Sequence, residues 1–158
     1  MIKKMTYKII GKYIKELNFN IPNPKTFFLL SKDISNYKIN IDIKSTQIKQ
    51  NIIEVQTTLA LNPIKENLEK IETKIVYSTI IELSNDKVDK FKIEKIILVE
   101  IPTKIYSELR KIFIFLFENS GFKDVKINDS VDFENLLNLR KAKKKFFFNS
   151  ILKNPLCF

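Results

Sequence analysis

Residues 37–44 read Tyr37-Lys38-Ile39-Asn40-Ile41-Asp42-Ile43-Lys44, a strict alternation of apolar and polar positions. Successive side chains of a strand point to opposite faces, so this pattern predicts a strand with four apolar side chains on one face. Residues 53–61 repeat the alternation with Ile53, Val55, Thr57, Leu59 and Leu61, then stop at Asn62-Pro63, where proline removes a backbone donor. Further along, Ile71, Thr73, Ile75, Tyr77, Thr79, Ile81 and Leu83 share one side, while Val76 and Ile80 interrupt the polarity of the other. Residues 7–19, with Tyr7, Ile9, Tyr13 and Leu17 among lysines, predict an earlier strand that ends before Pro22-Asn23-Pro24. Four strands joined by turns predict an antiparallel sheet.

The period then changes. After Pro102, suited to a first helical turn, apolar residues recur every three to four positions from Ile105 to Phe117 and stop before Gly121, predicting a helix over 103–118. Ile114 and Phe115 make 112–117 continuously apolar, and one sheet face cannot cover every side of such a helix. Either the helix sinks into a large core, or its second face packs on another subunit. Asp129 and Ser130 are candidate caps for a second helix carrying Phe133, Leu136 and Leu137. That helix runs into the basic stretch 140–145 and then Phe146, Phe147 and Phe148. A basic run beside aromatics, here 141–148, suits an anionic membrane or single-stranded nucleic acid; it also suits a solvated helix end whose aromatics fold back on the body.

Composition narrows the function classes. A chain of 158 residues that is 44% apolar has room for one globular domain. We expect that domain over 1–145 and a basic, aromatic tail over 146–158. The formal charge of +10 admits polyanionic partners, but Lys, Ile, Asn and Phe are all encoded by A/T-rich codons, so base composition can also produce it. There is no histidine and a single cysteine, Cys157, which leaves no Ser-His-Asp or Cys-His nucleophile pair, no intrachain disulfide and no Cys/His zinc cluster. Two glycines, at 11 and 121, cannot form a glycine-rich phosphate loop. An enzyme, a nucleotide user or a cofactor carrier is therefore not expected. The longest apolar run has six residues, against roughly 20 for a membrane-crossing helix. Lys8 and Lys12 interrupt what a secretory signal would need, so a cytoplasmic protein is expected.

Three motifs carry a family resemblance. The run Tyr13-Ile14-Lys15-Glu16-Leu17-Asn18-Phe19-Asn20-Ile21-Pro22-Asn23 resembles the opening of SecB chaperones, where Tyr-x-Lys-Asp-Leu-Ser-Phe-Glu-x-Pro-Asn leaves the first strand. Pro102, Ile105, Tyr106 and Arg110 are similar to the family's Pro-x-x-Leu-Phe-Pro-x-Ala-Arg helix start. Gly121-Phe122 with Val125 and Ile127, followed by Val131-Asp132-Phe133 and Leu136, resembles the family's Gly-Phe-Pro-x-Leu-x-Leu segment and its Val-Asp-Phe helix start. The likeness covers about residues 6–140.

The resemblance implies an α+β fold: a four-stranded antiparallel sheet with two C-terminal helices on one side, assembled as a homotetramer, a dimer of dimers. It places Tyr106, Leu109, Ile112, Phe113 and Leu116 of the long helix between dimers. It implies an ATP-independent holdase that keeps secretory precursor proteins unfolded and hands them to the SecA motor of the translocon. Client-binding positions carried over are Phe27 and Phe28 in the crossover, Ile39, Ile41 and Ile43 on the alternating strand, and Phe122, Val125 and Ile127 between the helices. Ordinary core packing is the competing reading for each of these. Motor docking through carboxylates on the sheet would use Glu16 and Glu72. Asn20 and Lys74 stand where glutamate is usual in the family, and Glu72 where leucine is usual. Ser107 and Lys123 replace prolines, and Glu108 an aromatic. Alternatives are a SecB-like chaperone dedicated to an antitoxin partner, or a basic nucleic-acid or anionic-membrane module; no specific nucleic-acid partner is expected.

Overall fold

Strand β1 (Tyr7–Asn20) and helix α1 (Pro24–Lys32) lead into three consecutive long strands, β2 (Tyr37–Lys49), β3 (Ile52–Pro63) and β4 (Glu72–Leu83). The computed structural model describes residues 6–32, 37–64, 71–84, 89–123, 125–144 and 156–157. Helix α2 (Lys90–Lys95), a π-helical turn (Ile96–Glu100) and helix α3 (Ile101–Glu118) follow, then α4 (Phe133–Lys144) and a two-residue strand β5 (Leu156–Cys157). The sheet order is β1-β4-β3-β2-β5, antiparallel throughout. The four expected strands are all present, and β5 extends the sheet by a short fifth. Residues 145–155 and Phe158 lie outside the described residues, and with them positions 145–148 of the basic, aromatic run.

Alternation decides what each sheet face meets. Val55, Leu59, Ile75 and Ile81 share the inner face and have no exposed surface. Burying each such side chain stabilises the fold by about 1.5–3 kcal/mol relative to leaving it in water. On β1 the alternation is broken twice, between Ile9 and Gly11 and between Ile14 and Glu16. Each bulge inserts one residue and reverses the facing of everything beyond it. Tyr7 and Ile9 therefore stand opposite Leu83 and Ile81 on the inner face, while Tyr13 stands opposite Ser78 on the outer face. After the second bulge Leu17 and Phe19 return inward, opposite Ile75 and Thr73. Of the four apolar residues that predicted this strand, Tyr13 therefore faces outward while Tyr7, Ile9 and Leu17 face inward.

The helices on the inner face begin earlier than their strongest periodicity. Asp89 caps α2, its Oδ1 accepting from the Phe91 backbone N–H at 3.1 Å. Helical backbone then continues to Glu118, with Pro102 in the first turn of α3 as expected and the π turn directly upstream of it. A proline removes one backbone donor and its ring crowds the carbonyl four residues earlier. Here the widened turn absorbs the misfit: the Ile101 N–H bonds back five residues to the Ile96 carbonyl, and Thr103 Oγ1 donates to the Val99 carbonyl at 2.5 Å. The first turn of α4 is capped by Asp132, whose Oδ1 accepts from the Asn135 N–H at 2.9 Å. Asp129 and Ser130 are too far upstream to cap it, and Asp129 instead pairs with Arg110 at 2.9 Å.

Two connected clusters make the core. The larger joins the inner sheet face to Ile101, Ile105, Leu109, Phe113 and Phe117 of α3. The smaller joins Ile41 of β2 to Val99, Tyr106, Phe133 and Leu137, docking α4 over the π turn. Tyr106, Leu109 and Phe113, expected between dimers, are thus at most 5% exposed within their own subunit. The physical reason is proximity: the helical stripe with the strongest period lies against the apolar sheet of the same chain. Ile112 and Leu116 are half-buried, and the outward face of α3 carries Phe115, which is 62% exposed.

Candidate functional site

An aromatic seam runs along one end of the subunit. Asn23 caps α1, its side-chain oxygen accepting from the Thr26 backbone N–H at 2.9 Å, with Pro24 as the first helical residue. This places Phe27 with its ring centroid 4.9 Å from Phe122 and 5.6 Å from Phe28. Phe122 continues to Phe117 at 5.4 Å, and Phe117 to Phe19 at 5.3 Å. Gly121 makes the close approach possible. Its φ is +93°, a region that favours glycine, and a Cβ there would meet the Phe27 ring at 3.4 Å. Phe28, at the end of the seam, is 61% exposed.

A second apolar feature lies beside the start of β2. A cleft of about 490 Å³ is lined by Tyr37, Ile39, Ile64, Tyr106 and Ile127 together with Lys38, Lys126 and Asn128. The loop that forms one wall is tied to α3: the Tyr106 hydroxyl donates to the Asn128 carbonyl at 2.5 Å, and Arg110 holds Asp129. Burial pushes the Tyr106 phenol above its ordinary range, opposed by Arg110 and reinforced by Asp129. The hydroxyl therefore stays protonated and able to donate.

Among the eight client positions expected from sequence, Ile39 and Ile127 meet in the cleft, while Phe27, Phe28 and Phe122 meet in the seam. Val125 and Ile43 are half-buried beside the core. Ile41 has no exposed surface, enclosed by the smaller cluster. It therefore supports the wall without offering a contact. Tyr37 and Ile64 were not among the expected positions. Tyr37 opens the same alternation as Ile39, so its facing was readable; Ile64, one residue past Asn62-Pro63, joins only through the turn.

The outer sheet face has a different chemistry. Glu54 on β3 accepts from Ser78 Oγ at 2.6 Å, from Lys15 Nζ at 3.0 Å and from the Tyr13 hydroxyl at 3.0 Å. These donors, Ser78 and Lys15 foremost, hold its carboxyl down to about 2. Glu16 and Glu72, the expected docking acids, share this face, and Lys74 pairs with Glu16 at 3.3 Å. Asn20 stands opposite Glu72. Glu54 was not expected at all; its signal was a lone carboxylate on the outward side of an otherwise uncharged strand.

The subunit is thus an antiparallel sheet backed by C-terminal helices, with an aromatic seam at one end and an apolar cleft beside β2. The family profile described as "Preprotein translocase subunit SecB" matches residues 2–144. A SecB-named protein of Pelagibacter ubique (strain HTCC1062) is 40% identical over 134 residues, spanning 85% of this chain and 96% of the relative. Protein-export protein SecB of Anaplasma marginale (strain Florida) is 23% identical over 138 residues, covering 80% and 78%. The chain belongs to the SecB family and is a SecB-type chaperone. In fold it is similar to a Mycobacterium tuberculosis SecB-like chaperone solved with an antitoxin peptide, with a TM-score of 0.54 at 7% identity, over 77% of this chain and 89% of that one. Among the described residues no helix is long and apolar enough to cross a membrane.

Proposed function

We propose that the protein is an ATP-independent holdase that binds unfolded secretory precursors in the cytoplasm as a homotetramer and delivers them to the SecA motor. The observation that carries this reading is the apolar cleft at Tyr37, Ile39, Ile64 and Ile127 together with the half-open aromatic seam ending at Phe28. An unfolded client exposes apolar segments, and each one that enters these features is removed from water, so many weak contacts compete with aggregation. Two short features on one subunit hold little chain, and assembly would line up several of them. Phe115 and the half-buried Ile112, Ile114 and Leu116 are the apolar α3 side chains left for packing between subunits. Docking of the motor would fall on the outer sheet face, where, among the described residues, Glu72 is the carboxylate of the expected pair without a lysine salt bridge. The purified protein should delay aggregation of a chemically unfolded client without nucleotide. No delay at several-fold molar excess would end the proposal.

A second reading, a chaperone dedicated to one antitoxin-type partner, has in its favour the fold likeness to the mycobacterial chaperone solved with an antitoxin peptide. Comparable affinity for several unrelated unfolded clients would exclude it. A polyanion-binding module has less support, since Lys95 and Lys141 are drawn to Glu134 and Glu94 at 3.7 and 3.6 Å. Salt-sensitive binding to nucleic acid or anionic vesicles, without affinity for unfolded protein, would revive it.

A further inference from the structure

The edge strand β2 already carries an occupant. β5 pairs antiparallel with it, Cys157 opposite Asn40 and Leu156 opposite Ile41, at the middle of the expected client strand and next to the cleft wall formed by Tyr37 and Ile39. A sheet edge presents a row of backbone donors and acceptors that captures any extended chain of suitable sequence. On the opposite side of β2 every position from Tyr37 to Gln47 is paired with β3, so only its outer edge can accept an added strand. Among the described residues no strand lies beside positions 42–49 on that edge.

The sequence around Leu156 and Cys157 has client character. Residues 146–158 read Phe-Phe-Phe-Asn-Ser-Ile-Leu-Lys-Asn-Pro-Leu-Cys-Phe, with no acidic residue and a majority of apolar ones. Pro155 comes immediately before the two paired residues. Proline lacks a backbone donor, so a ladder continued through it would lose a hydrogen bond. A two-residue ladder is weak by design of its length. A longer extended segment would form more backbone pairs on the same edge.

We propose that the C-terminal segment is a built-in, displaceable occupant of the β2 edge, so that an extended client binds by strand addition in competition with the chain's own Leu156-Cys157. The competition rests on the holdase reading above; the tail contact itself does not.

Cys157 is the chain's only cysteine, which makes the contact directly testable. In the full-length Asn40→Cys variant, the two cysteines lie opposite one another in the ladder, a spacing compatible with a disulfide. Mild oxidation should give an intramolecular bridge, seen as a mass loss of about two hydrogens at unchanged subunit number, whereas a Lys44→Cys variant should remain unbridged. The bridged form should bind a fluorescent, carboxymethylated unfolded client roughly tenfold more weakly, with recovery on reduction. Leu156→Pro, which breaks the ladder from the occupant's side, should bind the same client roughly threefold more tightly than the natural chain. A bridge only between subunits, equal bridging at position 44, or client affinity that is the same in bridged, reduced and Leu156→Pro forms would each overturn the proposal. If the specific bridge forms and no form of the protein binds client, the holdase reading fails while the tail contact stands.

Discussion

The two faces of one sheet treat the same chemical group in opposite ways. On the outer face the Ser78 hydroxyl donates to Glu54 at 2.6 Å, within a network that also includes Lys15 and Tyr13. On the inner face Thr57, Thr73 and Thr79 are almost wholly buried, and among the described residues their hydroxyls have no hydrogen-bond partner. Those threonines act through shape, their branched side chains fitting the pleated surface under α3. The inner face is therefore selected for packing and tolerates a polar cost, whereas the outer face is selected for charge arrangement. One holds the subunit together and the other sets how it presents itself to a partner.

This contrast can be broken most severely on β3, whose residues alternate between the two faces. Leu59→Ala on the inner face should destabilise by about 2–5 kcal/mol, because the void under α3 cannot fully collapse. Urea unfolding should show a lower midpoint with an unchanged slope. A loss under 1 kcal/mol would mean that the inner face is far less tightly packed than the structure has it.

Glu54→Gln, five residues away and facing outward, tests the electrostatic side. Its folded carboxyl is held at about 2 against an ordinary 4.5, so its stabilisation is complete above pH 4.5 and is lost as pH falls toward 2. At neutral pH the variant should lose about 1 kcal/mol, below the full linkage value because water reaches the group. Its thermal midpoint should also fall less steeply than the natural chain's between pH 4.5 and 2. Parallel curves for the two proteins would remove Glu54 from the acid response.

Thr79→Val sharpens the comparison from the other direction. Replacing a buried hydroxyl that lacks a partner by a methyl group should stabilise by about 0.5–1 kcal/mol, measured by the same urea transitions. Destabilisation would reveal a water or backbone partner for that oxygen. The smallest effect is expected at Lys74→Ala, which breaks an exposed pair with Glu16. It should change stability by less than about 0.5 kcal/mol, and high salt should erase the difference.

Much of the fold could be read along the chain because its signals are local. Ile39, Ile41 and Ile43 announce a strand face by themselves, as do Leu59 and Leu61, and the recurrence from Ile105 to Phe117 announces a helix. The start of α1 was equally local and was missed: Asn23 before Pro24 is an N-cap followed by a first-turn proline. The start at Lys90 was missed for a different reason. Pro102 reads as a helix beginning, and only the π turn, a product of packing against β2 and α4, lets the backbone run through it. The cleft was half legible, since Ile39 and Ile127 were expected and Ile64 was not.

Periodicity, turn residues and three family motifs thus determined the class of this protein, its four long strands, its main helix and the kind of surface it offers. Tertiary structure alone decided which apolar residues remain available: it enclosed Ile41, Tyr106, Leu109 and Phe113 while leaving Phe28 and Phe115 in water. It also turned Tyr13 outward through the first β1 bulge and brought Leu156 and Cys157 to the β2 edge. The physical reason is that a side chain's period is a property of its own backbone, whereas its burial, register and pairing depend on what distant segments place against it.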